Sequence, residues 1–438
     1  VAVAGQVDAG LGPKGVLDGG AGASATADRG TRTPSPELVD VVSISEHGAM
    51  RSSTIEHVER LADSLGVAAA RVRSFQYGLA AVRRGALVVQ QASGSTGRWQ
   101  FPMAVSAFPL NVVAPVFGAD VASVLGSGAI VMGTTTAALR GARAGDEVEL
   151  ISSSGRPTRF IIGMVAPDTV VGGAELVITE GQADLLGVTT VTRVLLHGPF
   201  DRASILSSIR SSGFVDNANV RVAPSWGLPN PDGTLGFART KVLLGEFDFR
   251  IVNSQSVSLD PAWVAASLPS NRELFDSIAV RARCHRVVHP HLQAALAEVA
   301  ASGLSSAIDL RNTNTYGGCW NPRYSRVSAV VGSLSRHAWG MAFDMNTVAN
   351  AQGREPPGMD CRVVRIFRKH GFAWGGNFLT ADGMHFEFVG ERRDLWPYPS
   401  EYCPNPPAEV GASAQAAWPS ARDTMFATVD GVADSGGH

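Results

Sequence analysis

The chain has 438 residues, of which 45% are hydrophobic and 17% charged, with a formal net charge of −2. That length suggests two or three domains with ample material for buried cores. Near-neutral charge, with basic residues scattered rather than gathered in a stripe, argues against nucleic acid as a partner. No uncharged apolar run reaches the roughly 18 to 20 residues that a membrane helix requires.

Residues 1–50 open with a Gly-, Ala-, Asp- and Thr-rich stretch and read as a flexible linker, which could tether the domains to a membrane or wall. Residues 51–222 read as an α+β module. Ile55, Val58, Leu61 and Leu65 fit an amphipathic helix over 53–65, with Ser52, Ser53 and Thr54 as candidate caps. Runs rich in β-branched residues and bounded by Gly and Asp predict strands at 86–91, 129–132, 147–152 and 158–166, with a short helix at 134–143. The module contains no Cys, and its two imidazoles, His57 and His197, lie far apart. It is expected to bind or to space rather than to catalyse. Pro224, Trp226, Gly227, Pro229 and Asn230 mark a linker over 223–258. A domain at 259–403 and a Pro-, Ala- and Gly-rich tail at 404–438 complete the chain.

The chemistry concentrates in two segments. Residues 335–344 read Ser-Arg-His-Ala-Trp-Gly-Met-Ala-Phe-Asp, and residues 382–388 read Asp-Gly-Met-His-Phe-Glu-Phe. A catalytic zinc takes about three imidazole or carboxylate ligands and keeps one position open. His337, Asp344 and His385 have the right types and number, and Asp382 is left to act as a base. Met341, Phe343 and Met345 alternate with Ala342 and Asp344, which predicts a strand with Asp344 on the opposite face. Gly340 permits a tight turn between His337 and that strand. A second strand would put His385 and Glu387 on one face, so Glu387 is expected to orient a ligand rather than to bind metal. His285, His289 and His291 have a suggestive spacing, but Pro290 and the amphipathic run after it read as the start of a helix.

These motifs resemble the zinc-dependent peptidoglycan peptidases, which include D-Ala-D-Ala carboxypeptidases, D-Ala-D-Ala dipeptidases and L-Ala-D-Glu endopeptidases. The resemblance covers about residues 260–397 and extends to Cys284-His285, Gly317-Gly318-Cys319, Pro322-Arg323, Asn346 and the run from Gly371 to Gly376. It implies the small α+β fold shared with hedgehog domains, built on a central antiparallel sheet and preceded here by a separate α+β module. It also implies zinc on His337, Asp344 and His385, with Asp382 as general base. An Asp at that position is similar to the endopeptidase branch; the dipeptidase branch carries Glu. Zinc lowers the pKa of its water to about 7, and a neighbouring carboxylate can take and return the proton. Arg323 is the candidate for stabilising the oxyanion or for holding a substrate carboxylate, with Arg311 next, and Ser335 is a candidate substrate contact. In the N-terminal module, residues 126–133, 139–148 and 160–165 resemble extracytoplasmic domains of bacterial permeases.

The four cysteines, Cys284, Cys319, Cys361 and Cys403, have no zinc-ribbon spacing and an even count. Three connectivities are open. Cys284 with Cys319 and Cys361 with Cys403 is favoured, because each pair would tie a flank to the central sheet; the alternative is four reduced thiols. The resulting expectation is a secreted zinc peptidase acting on stem peptides outside the membrane. Val1 in place of Met fits either a removed signal segment or a fragment. The competing class is a zinc-stabilised module that binds cell wall or protein without catalysis, and a third reading puts the function in the N-terminal module.

Overall fold

Runs of Val, Ile and Leu broken by glycine turns set the N-terminal architecture. The computed structural model describes residues 38–46, 48–93, 99–152, 155–213, 220–269, 272–309, 317–325, 333–407 and 418–427. Residues 1–37 of the expected linker and Arg311 lie outside them. Ten strands form one sheet: β1 (Val41–Glu46), β2 (Ala68–Arg84), β3 (Leu87–Gln91), β4 (Phe101–Phe108), β5 (Ile130–Gly133), β6 (Glu147–Ile151), β7 (Pro157–Ala166), β8 (Leu176–Thr179), β9 (Arg193–His197) and β10 (Val220–Pro224). The helices of this half are α1 (Ser52–Leu65), α2 (Leu110–Phe117), α3 (Ala119–Gly126), α4 (Thr134–Arg140), α5 (Glu180–Leu185) and α6 (Arg202–Ser211).

The 17-residue β2 belongs to two substructures. Its first residues pair with β9 and its later ones with β4 and β6. The path β2-β4-β8-β5-β7-β6 therefore closes on itself as a barrel around Phe75, Met103, Ile130, Val148 and Leu176. The remainder, in the order β10-β1-β9-β2, is antiparallel, with α1 and α6 packed over Val42, Ile44, Val194 and Leu196. β1-α1-β2 and β9-α6-β10 are thus interleaved βαβ units.

Several boundaries differ from the sequence expectation. Residues 41–46, assigned to a linker, form a central strand. Its paired backbone and buried Val42 and Ile44 outweigh the unstructured composition before it. Ser52, Ser53 and Thr54 do not cap α1. Thr54 instead donates its hydroxyl to Glu46 Oε1 at 2.8 Å, and Glu46 Oε2 accepts the Arg51 N–H at 2.7 Å.

The expected linker at 223–258 is also structured. It contains α7 (Phe237–Leu244), β11 (Phe249–Ile251) and most of a hairpin to β12 (Val257–Leu259). Phe237, Phe247, Phe249 and Val257 join the same core as Trp339, Phe343 and Phe386. Next come α8 (Pro261–Ser267), β13 (Glu273–Phe275), β14 (Val280–Ala282), α9 (His289–Ala301), β15 (Ala342–Asp344), α10 (Cys361–Lys369), β16 (Phe372–Trp374) and β17 (His385–Phe388). The order β15-β17-β16 gives an antiparallel sheet. α10 packs on it through Phe367, whose ring centroid lies 4.4 Å from that of Phe386. Disulfides join Cys284 to Cys319 and Cys361 to Cys403.

Among the described residues, the two halves make direct contacts with each other. Gln100 and Phe249 exchange both backbone hydrogen bonds at 2.9 Å. Buried Lys241 on α7 reaches Glu175 at 2.7 Å and Glu246 at 3.3 Å, and Glu246 pairs with Arg140 of α4 at 2.6 Å. Such desolvated charges are tolerated because each is paired and hydrogen-bonded. The tail is structured in part as well. Phe426 is buried against Phe108 and Phe117, and its N–H donates to Gly172 O at 2.8 Å. A side chain at Gly172 or Gly173 would meet Phe426 at 2.5 Å or Ala427 at 2.7 Å, so these glycines make the seat for the returning chain. No described helix is long and apolar enough to cross a membrane.

Candidate metal centre

His337 lies in a single 3₁₀ turn, Arg336–Trp339, whose N-cap Ser335 accepts the His337 N–H on its Oγ at 3.2 Å. The turn ends at Gly340 with φ 66°, and its N–H returns to His337 O at 3.0 Å. A Cβ at Gly340 would stand 2.7 Å from Leu268 and 3.1 Å from the His285 nitrogen, so both conformation and space require glycine there. The His337 Nδ1 faces Cys319 O at 3.0 Å. A carbonyl only accepts, so Nδ1 carries the proton and Nε2 offers its lone pair. The disulfide to Cys284 anchors that carbonyl.

Asp344 ends β15 and sits directly opposite His385 on β17. Its Oδ2 lies 3.2 Å from His337 Nε2 and its Oδ1 lies 3.1 Å from His385 Nδ1. All three side chains are buried, and one ligand atom from each falls within 4.8 Å of the others. Burial alone would raise the Asp344 pKa, but His337 and His385 against it hold it well below the ordinary carboxylate range. Two imidazoles and a carboxylate, with the carboxylate oxygens 3.2 and 3.1 Å from the two rings, are a donor set that fits a divalent metal such as zinc. Gly317 lets the chain pass Asp344 closely: a Cβ there would be 3.0 Å from Oδ2.

Asp382 is fully buried at the start of the turn that leads into β17. Its N–H donates to Gly375 O at 2.9 Å, and its own carbonyl accepts the His385 N–H at 3.1 Å. A Cβ at Gly375 would lie 3.2 Å from the Asp382 Cβ and 3.1 Å from the His385 Cβ, so both residues crowd one glycine. Glu387 is buried on the face it shares with His385. Its Oε2 lies 3.8 Å from His385 Nε2 and its Oε1 lies 3.4 Å from Arg336 Nε. Arg336 is itself held over the Phe237 ring at 4.3 Å and donates to Thr240 at 3.1 Å. Arg336 went unnoticed in the sequence, where only its adjacency to His337 marked it.

Ser335, expected to contact substrate, is buried and caps the His337 turn. The Arg323 backbone carbonyl accepts the Ser335 N–H at 3.0 Å, and its guanidinium donates to Tyr324 O at 3.1 Å. The second histidine cluster begins a helix as expected. His289 opens α9, stacks on Phe275 and faces Glu273 at 3.0 Å, while His291 lies against Phe388.

Residues 329–388 match the family model described as D-alanyl-D-alanine carboxypeptidase. The C-terminal region is similar to that family. The matched stretch contains His337, Asp344, Asp382 and His385, and it supports a peptidase whose substrates are related to peptidoglycan. It does not reach the N-terminal module, whose likeness to permease domains gains no support. No curated protein matches the chain.

His285 gives this region a pH dependence. Burial pushes its pKa down to about 4, against an ordinary value of about 6.5. Between these values the unfolded chain binds the proton and the folded chain does not, so stability is complete above about pH 6.5 and falls as the pH drops toward 4. Urea unfolding at pH 7.5 and 4.5 should show an acid loss about 2 kcal/mol smaller in His285→Gln than in the wild type. Equal losses in the two proteins would refute the assignment.

Proposed function

We propose that the C-terminal region is a zinc peptidase hydrolysing peptidoglycan stem peptides, with His337, Asp344 and His385 as metal ligands and Asp382 as general base. The observation that carries this reading is the convergence of two imidazoles and a carboxylate with a buried Asp382 on the turn entering the His385 strand. A divalent ion held there supplies a Lewis acid and a water acidic enough to react near neutral pH. Asp382 then takes a proton from the attacking water and returns it to the leaving amine. Glu387, paired on its far side with Arg336, lies 3.8 Å from His385 Nε2 and is proposed to orient that ring. Arg323 is proposed as the group that meets a substrate carboxylate or the developing oxyanion. The fold proposed is that of the hedgehog and D-Ala-D-Ala peptidase domains. Two disulfides and a wall substrate favour an extracytoplasmic site of action.

Two bonds fit the reading, a terminal D-Ala-D-Ala and an internal L-Ala-D-Glu, and Asp rather than Glu at position 382 favours the second. Zinc-loaded protein incubated with purified peptidoglycan should yield muropeptides, resolved by mass spectrometry, that have lost either a terminal D-Ala or the peptide beyond L-Ala. An unchanged muropeptide profile would reject the proposal.

A further inference from the structure

Asp232 lies in the segment whose composition reads as a linker, yet it is buried and accepts four hydrogen bonds. Arg368 of α10 donates from Nε at 2.9 Å and from Nη2 at 2.5 Å, the Trp374 N–H donates at 3.1 Å, and Asn377 Nδ2 donates at 2.8 Å. The last two groups are the two ends of one short turn, and its second residue is Gly375. Gly375 O accepts the Asp382 N–H at 2.9 Å, and a Cβ at Gly375 would stand 3.2 Å from the Asp382 Cβ and 3.1 Å from the His385 Cβ. Asn377 is fixed in turn by Tyr402, whose N–H and C=O both bond its side chain, at 2.8 and 2.9 Å. Arg368 is completed by Cys403 O at 2.6 Å and Asn405 Oδ1 at 3.0 Å.

We infer that Asp232 is a positioning residue for the peptidase reaction: through Trp374 and Asn377 it fixes the turn from which Asp382 hangs, and so sets where the base stands beside His385. The inference rests on the peptidase reading above. A carboxylate accepting from a guanidinium, a backbone N–H and a side-chain amide in a buried site is a stiff anchor. Neither Asp232 nor the rest of its segment lies in the matched stretch 329–388. The chain outside that stretch thereby supplies part of what makes the site work.

The test uses the zinc-loaded full chain, with Asp232→Asn and Asn377→Ala as variants. Asp232→Asn keeps the shape but puts an amide against two donors. Asn377→Ala removes the Asp232 tie together with the two bonds to Tyr402 but leaves Arg368 paired, so a wild-type result in it counts against the inference whether or not Asp232→Asn accumulates as folded protein. Each folded variant should keep about one zinc per chain and lose about 10- to 100-fold in kcat with KM within about twofold. Amide exchange over residues 374–385 should quicken about tenfold while exchange in β1 and β9 stays unchanged. A merely structural role would lower the melting temperature without separating kcat from KM. Asn377→Ala with wild-type kcat and wild-type exchange over 374–385 would overturn the inference. A wild type inert toward muropeptides removes the peptidase reading alone, and the exchange result then decides whether Asp232 holds the turn.

Discussion

Replacing His337 or His385 by alanine should reduce bound zinc from about one ion per chain to none and abolish hydrolysis. Either change leaves one imidazole and Asp344, a donor set short of the roughly three protein ligands a catalytic zinc takes. The site cannot recruit a substitute easily. Glu387, on the His385 face, is engaged by Arg336 at 3.4 Å, and Asp344 already spans both rings at 3.1 and 3.2 Å. Metal analysis after gel filtration gives the stoichiometry, and circular dichroism separates metal loss from unfolding. His337→Ala is the cleaner variant, because His337 sits on a 3₁₀ turn capped by Ser335, whereas His385 lies in the central strand of a three-stranded sheet. Zinc retained in both variants would show that the ligands lie elsewhere.

Asp382→Asn should keep the zinc and the fold yet reduce turnover by about 10²- to 10⁴-fold. The backbone of residue 382 supports the turn through its N–H to Gly375 and its C=O to His385, and the substitution leaves both bonds in place. Only the capacity to accept a proton is removed. Asp382→Glu asks whether the cleft tolerates the longer carboxylate of the dipeptidase branch. Asp382 is fully buried, so the extra methylene must be fitted into packed surroundings and partial activity is the expected result. Turnover of Asp382→Asn at the wild-type rate would move the base to another group or assign the activity to a contaminant, and the zinc-stabilised binding module would then be the better account.

The local chemistry was legible in the chain. Two short motifs with their glycines in register named the three side chains that meet, because ligand type, alternation along a strand and the need for a turn at Gly340 are all local properties. Amphipathic spacing likewise located α1, and β-branched runs located β3, β5, β6 and β7 to within a few residues. The pairing of Cys284 with Cys319 and of Cys361 with Cys403, favoured from the sequence, is the pairing in the structure.

What the sequence could not decide were the features that depend on distant partners. β1 and the Phe426 segment fall within the stretches assigned to linker and tail, and each packs on surfaces far along the chain, β9 and β10 for one and Phe108 and Phe117 for the other. That Ser335 caps the His337 turn follows from the backbone path there rather than from its residue type. Asp232 sits among prolines and glycines and reads as linker; only the fold brings it to Arg368, Trp374 and Asn377. The physical reason is the same throughout. The candidate ligands are marked by residue type and local spacing, but burial is a property of the packed chain, and only packing brings Asp232 against Arg368, Trp374 and Asn377.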